Sequence, residues 1–195
     1  VDPLYKGLTV VENPATSSPG LAFLLATIGS MGEEKAMEYW TRLNDNDLLV
    51  VNGWQEAYWG HFTAASKGDR PIVVSYATSP AAEVHFAENV PDRAPTVAVT
   101  APGTAFRQVE FAGVLRGTQH PKLARALVDF MLSIPFQEDI PLQMFVFPAN
   151  TKATLPRVFV EHAAVVREPV TLASERIAAH REEWIEKWTD SVLRR

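Results

Sequence analysis

Three consecutive hydroxyl residues, Thr16, Ser17 and Ser18, stand between Pro14 and Pro19, and together they could hold a polar or anionic ligand. Pro14 stops the β-branched run that ends in Val10 and Val11, and Pro19 suits the first position of a helix. The residues that follow are apolar. At such a strand-to-helix junction, N–H groups without an intrahelical acceptor and the positive end of the helix dipole point out of the turn, where hydroxyls can complete a ligand's hydrogen bonds. A plainer role is open too, with Ser18 capping the helix. Aromatic residues recur at similar junctions: Trp54 follows Asn52-Gly53, Tyr58 lies four residues on, and Tyr76 closes the run from Ile72. Such rings can stack on a flat ligand or face a cation, although each alone could equally serve a core.

The elements that must position these residues alternate along the chain. Leu8 to Val11 reads as a buried strand, and Leu21 to Ile28 as a helix apolar on most sides, broken by Gly29 and Gly32. Ala36, Met37, Trp40 and Leu43 then recur at helical spacing. Leu48 to Val51 is a second strand, Gln55 to Lys67 a helix carrying Tyr58, Trp59 and Phe62 and closed by Gly68, and Ile72 to Tyr76 a third strand before a helix from Ala81. Strand, polar or aromatic turn, helix therefore occurs three times. This alternation predicts an α/β fold, a mostly parallel sheet with helices on both faces and ligands at the carboxyl ends of the strands. Ser17, Trp54 and Tyr76 would then share one rim.

Further on, Thr96 to Thr100 and Phe106 to Leu115 alternate as strands would. Pro121 opens a helix with Leu123, Leu127, Phe130 and Met131 on one face, and Ile134 restarts a shorter one that Pro141 should end. Phe145 to Pro148 reads as extended, and a polar, proline-containing loop follows. A last helix from about Ser174 carries Ile177, Trp184, Ile185, Trp188 and Val192 as one apolar stripe.

Composition excludes several classes. With 47% hydrophobic and 21% charged residues the chain is globular, and 195 residues can bury a sizeable core. A net charge of −5 without any basic run argues against a nucleic-acid surface. Having no cysteine removes disulfides, thiolate metal sites and thiol nucleophiles. The five histidines are scattered without zinc-ligand spacing. The Asn44 to Asp47 cluster lacks the glycine and distal glutamate of a calcium loop. No metal and no cofactor is expected. Ser17 or Ser79 could serve a hydrolase or transferase only with a base that nothing in the sequence proposes, so the chain is expected not to be an enzyme. No apolar run is long enough to span a bilayer. Val1 in place of Met is expected of a processed chain or an excised piece.

The order of elements resembles the extracytoplasmic solute-binding proteins of ABC importers, specifically the thiamine-binding branch of the type II periplasmic-binding fold. The resemblance rests on N-P-A-T-S-S-P-G-L-A-F-L-L from Asn13, N-G-W-Q-E-A-Y from Asn52, V-V-S-Y-A-T-S-P from Val73 and Q-V-E from Gln108. It continues through H-P-K-L-A-R-A-L-V-D-F-M-L from His120, F-V-F-P-A-N from Phe145 and the Trp-rich end. It implies that residues 1–108 and 146–195 form the second lobe of such a protein. Residues 109–145 would be a hinge strand and helices of the first lobe, whose remainder is absent. It also implies a periplasmic or otherwise extracytoplasmic location, a small-molecule ligand (thiamine or a thiamine phosphate) bound between two lobes, and ABC permease subunits as partners. Ser17 and Ser18 would meet the ligand or its phosphate at the helix N-terminus, Trp54, Tyr58 and Tyr76 would line the cleft, and Phe145 would stand as a stacking aromatic. On the same fold, another organic cation or ferric iron is the alternative cargo.

Overall fold

A computed structural model of the chain describes residues 1–89 and 91–194. In chain order the elements are β1 (Thr9–Glu12), α1 (Ser18–Met31), α2 (Glu33–Asp45), β2 (Leu49–Val51), α3 (Trp54–Glu56), β3 (Ile72–Val73), α4 (Ser79–Phe86), α5 (Pro121–Met131), α6 (Ile134–Met144), α7 (Arg157–His162) and α8 (Ser174–Val192), with a 3-10 turn at Pro3–Tyr5 and a π-helical turn at Ala57–His61. They gather into two compact units. One is built from Val1–Tyr76, Val99–Arg107 and Val165–Arg195, the other from Ala77–Ala98 and Gln108–Ala164.

In the first unit the three strands form a parallel sheet of order β2-β1-β3. Its centre is β1, with Val11 opposite Val50 on one edge and Val10 opposite Val73 on the other. Val11 faces a core of Leu24, Leu25 and Ile28 from α1, Ala36 and Trp40 from α2, and Trp184, Trp188 and Val192 from α8. Val10, on the opposite face, packs with Val51 and Ala57. Both faces are therefore covered by helix, as the alternation predicts, and the purely parallel pairing follows from helical crossovers that bury both sides.

Trp40 organises the larger core. Its ring meets Phe23 and Trp188 edge-on at 5.2 and 5.6 Å, and its indole N–H donates to the Thr27 hydroxyl at 3.0 Å. That hydroxyl donates in turn to the Leu24 carbonyl at 2.7 Å, so the Trp40 and Thr27 groups are paired, whereas the buried indole N–H of Trp188 has no hydrogen-bonding partner in the protein. Gly29 does not break α1: a Cβ there would lie 2.3 Å from a Val170 methyl, and the glycine lets that chain segment pack against the helix. The helix ends at Gly32, whose φ of 85° few other residues adopt without cost.

In the second unit α4 packs on α7 and α5 on α6, with Phe130 and Phe136 edge-on at 5.4 Å. The buried Gln137 ties this unit together. Its amide N–H donates to the Met131 carbonyl at 2.7 Å, and its carbonyl accepts from Ala149 and Asn150 at 2.6 and 3.2 Å. Leu123, Leu127 and Phe130 of α5 remain exposed.

Several expected elements differ. The helix expected over Gln55 to Lys67 ends at His61, and Phe62 instead pairs as an isolated bridge with Arg70. Gly68 sits so close to the His61 backbone that a Cβ would lie 2.0 Å from its carbonyl oxygen, an approach that a continuing helix would not allow. Among the described residues neither 96–100 nor 106–115 is a strand. Phe106 forms one bridge to Val170, and the alternating residues beyond it find no partner strand. Pro141 lies inside α6 rather than ending it; it forfeits one backbone bond but is itself buried. The stretch expected as a proline-containing loop after Pro148 includes α7.

One contact governs the approach of α1 to the sheet. A Cβ at Gly20 would meet the Glu12 carbonyl oxygen at 2.4 Å and the Asn13 carbonyl carbon at 3.1 Å. Gly20→Ala should therefore push α1 off the end of β1 and lower stability by about 1–3 kcal/mol in urea unfolding, whereas Gly53→Ala, with open space around it, should leave the midpoint almost unmoved.

Candidate functional site

The carboxyl ends of the strands form the site in the first unit. The chain leaves β1 through Asn13, whose N–H donates to the Val51 carbonyl at 2.8 Å and whose side-chain oxygen accepts from the Ala15 N–H at 2.9 Å, making a tight turn. The Thr16 hydroxyl then donates to the Asn52 carbonyl at 2.7 Å. That bond ties the loop after β1 to the loop after β2. Chain leaving β1 enters α1 on the Val11 face and chain leaving β2 enters α3 on the Val10 face. A crevice opens where neighbouring connections part to opposite faces in this way, and such places receive ligands in parallel sheets.

The hydroxyl residues divide. Ser17, not Ser18, is the N-cap of α1; it is buried, and its hydroxyl makes no capping bond. Ser18 is the first helical residue and is exposed. The first-turn N–H groups have no acceptor within the helix, and Pro19 contributes none. A buried serine at the positive end of a 14-residue helix suits a phosphate or carboxylate oxygen.

The structure brings the three aromatic residues together. Trp54 opens α3, Tyr58 is buried in the π-turn and Tyr76 lies just past β3. Trp54 stacks on Tyr58 with centroids 4.8 Å apart and planes 20° from parallel. Tyr76 meets Trp54 at 5.9 Å, and Trp59, half-exposed, stands edge-on to it at 6.2 Å. The indole N–H of Trp54 donates to the Ser75 hydroxyl at 2.8 Å, which fixes the plane of the ring. Trp54 and Tyr58 stand four residues apart, the spacing at which side chains meet on one helix face.

Phe145 belongs to the second unit. It is the left-handed C-cap of α6, with φ 52° and ψ 40°, a conformation costly for an aromatic residue and held by its surroundings. The Thr78 hydroxyl donates to its carbonyl. Its ring lies 5.2 Å from Phe86, 5.9 Å from His85 and 6.2 Å from Phe159.

Two residues of the rim escaped sequence reading. Ser75 was hidden inside a strand-like run, though a serine two residues beyond Val73 was the cue. Glu12 ends β1, fully buried, and neither of its carboxylate oxygens has a hydrogen-bonding partner in the protein. Burial raises its pKa to about 8, slightly offset by its own backbone. A charged residue directly after two valines and before Asn-Pro was the available signal. Among the described residues no three His, Asp or Glu side chains gather where they could share a metal ion.

Residues 1–166 match the family of bacterial extracellular solute-binding proteins. The chain belongs to that family. It is 33% identical to the thiamine-binding periplasmic protein of Escherichia coli over 185 residues, covering 95% of this chain and 53% of that one. It is 34% identical to the protein of the same name from Brucella suis over 195 residues, covering 99% and 54%. A solved periplasmic thiamin binding protein superposes with a TM-score of 0.79 at 31% identity, over 96% of this chain and 55% of that chain. The chain therefore spans about half the length of the relatives it matches. The α/β fold and the extracellular solute-binding family expected from the sequence stand, and the family is one of binders rather than enzymes. No helix among the described residues is long and apolar enough to cross a membrane.

Because Glu12 keeps its proton in the fold up to about pH 8 but ionises near 4.5 when unfolded, the native state binds the extra proton between those values. Stability from this group is full below about pH 4.5, falls as pH rises and levels off above about 8. Unfolding midpoints measured between pH 5 and 8 should fall by the equivalent of about 3–5 kcal/mol, and Glu12→Gln should flatten that slope.

Proposed function

We propose that this chain carries half of a thiamine-binding site in the solute-binding component of an ABC importer, located outside the cytoplasmic membrane and delivering its cargo to permease subunits. The observation that carries the reading is the stacked Trp54–Tyr58 pair with Tyr76 beside it, at the rim where Ser17 caps α1. A thiazolium is a delocalised cation joined to a flat aminopyrimidine, and aromatic walls offer it cation–π and stacking attraction worth about 0.5–2 kcal/mol per ring. Ser17, Ser18 and the positive end of α1 suit the phosphate of a thiamine ester. The names of the relatives point to the same ligand.

The assignment of residues 109–145 to a hinge and to another lobe is part of this proposal. It is supported by α5, which leaves Leu123, Leu127 and Phe130 open to solvent, an apolar stripe of the kind that helices normally cover.

Tryptophan fluorescence tests the proposal. Thiamine and thiamine monophosphate should each give saturable quenching, weakened at least tenfold or lost in Trp54→Ala. Ser17→Ala should weaken the monophosphate severalfold more than thiamine, a difference of about 1 kcal/mol from one hydrogen bond to a charged group. Phe145→Ala, titrated separately, reads the stacking role assigned to that residue. No saturable response to either compound in the chain or in a longer version bearing the preceding lobe would overturn the thiamine reading.

A further inference from the structure

Glu12 ends β1, on the sheet face that leads into the aromatic cluster. Strand alternation places it on the same face of the sheet as Val10, and Val73 packs with Val10 on that face. On the other edge the register sets Glu12 opposite Val51, three residues before Trp54, and Val51 packs with Val10 and Ala57 on that face. The Ser75 hydroxyl takes the indole N–H of Trp54, and Trp54 stacks on Tyr58. A carboxyl group that is fully buried and without a hydrogen-bonding partner thus lies on the face of the sheet from which β2 leads into Trp54.

We propose that Glu12 is the charge-reading residue of this site: an organic cation settling against Trp54 and Tyr76 is accompanied by loss of the Glu12 proton to solvent, leaving a buried carboxylate at the end of β1. The inference rests on the organic-cation reading of the preceding subsection. Only the carboxyl O–H bond breaks, and buffer takes the proton. The logic is electrostatic. An isolated carboxylate is costly in this layer, so the empty site holds the neutral acid, and a nearby cation offsets the cost of ionisation. With its pKa pushed up to about 8 by burial, Glu12 has a proton to give at neutral pH.

The elements around it carry few other charges. β2 has none; α3 and the π-turn carry Glu56, Tyr58 and His61; Arg70 precedes β3 and Tyr76 follows it. Glu56 accepts the Asn52 N–H at 3.2 Å. Arg70 donates to the Asp47 carbonyl at 2.7 Å, beside Gly7 at the opposite end of the strands. Burial, rather than any of these charges, sets the state of Glu12.

Calorimetric titration with thiamine at neutral pH, repeated in PIPES and in Tris, reads the proton count from the difference in heat. The wild-type chain should release a substantial fraction of a proton, and its affinity should rise roughly tenfold between about pH 6 and pH 9, a size set by a charge pair at intermediate dielectric. Glu12→Gln should release none and bind with no such slope. An isosteric analogue whose five-membered ring carries no charge should release none from the wild type, and this arm decides the matter if the variant does not fold. Thiamine binding without proton release, or equal release with the uncharged analogue, overturns the role of Glu12 and leaves the thiamine reading standing. No binding by the wild type, either as this chain or in the longer version bearing the preceding lobe, overturns both.

Discussion

A four-residue strand bonded on both edges governs the first unit. β1 has β2 on one side and β3 on the other, so its pleat decides at once which helices lie on which face and where the three outgoing loops emerge. Val10 and Val11 point to different cores because alternation leaves no other choice. The helices must respect the end of that strand closely, as the fit of Gly20 against the Glu12 carbonyl shows. With α1 seated there, Ser17 falls at its N-terminus, and the Thr16–Asn52 hydrogen bond brings the loop after β2 into line with it.

The site is thus a by-product of topology refined by a few local devices. Parallel strands deliver polar and aromatic residues to one rim. The Trp54–Tyr58 stack and the Trp54–Ser75 bond convert that rim into an oriented wall. A preformed wall spares a ligand part of the ordering cost that flexible aromatic side chains would impose on binding. In the second unit the same economy appears around Phe145, whose left-handed backbone and hydrogen-bonded carbonyl hold the ring against Phe86 and Phe159.

Much of this was legible from residue order because it depends on strong local signals. The stripe of Ala36, Met37, Trp40 and Leu43 marked α2, and Trp184, Trp188 and Val192 marked the face of α8, since both helices bury one side only. Ser17, Trp54 and Tyr76 are candidates by their place after strands. What stayed hidden depends on contacts distant in sequence. Phe62 continued a helical apolar spacing, but its partner is Arg70, and the tight packing of Gly68 on His61 has no local signature. The alternation from Phe106 to Leu115 is true to a strand, yet a strand exists only when another edge accepts it. Glu12 was overlooked because a lone acidic residue reads as solvent-facing unless the layers above and below it are known.

The indole N–H of Trp184 donates to the Glu33 carboxylate across 151 positions of chain, and Trp188 packs on Trp40 across a comparable interval. The core on the Val11 face therefore cannot close until α8 has been synthesised, although its other buried residues all lie between Val11 and Trp40. Pairings so remote in sequence slow folding through the entropy of closing the intervening loop. Until α8 arrives, Leu24, Ile28 and Trp40 have no cover on that side, and an apolar surface stays unfinished while the 151 positions that separate Glu33 from Trp184 are added.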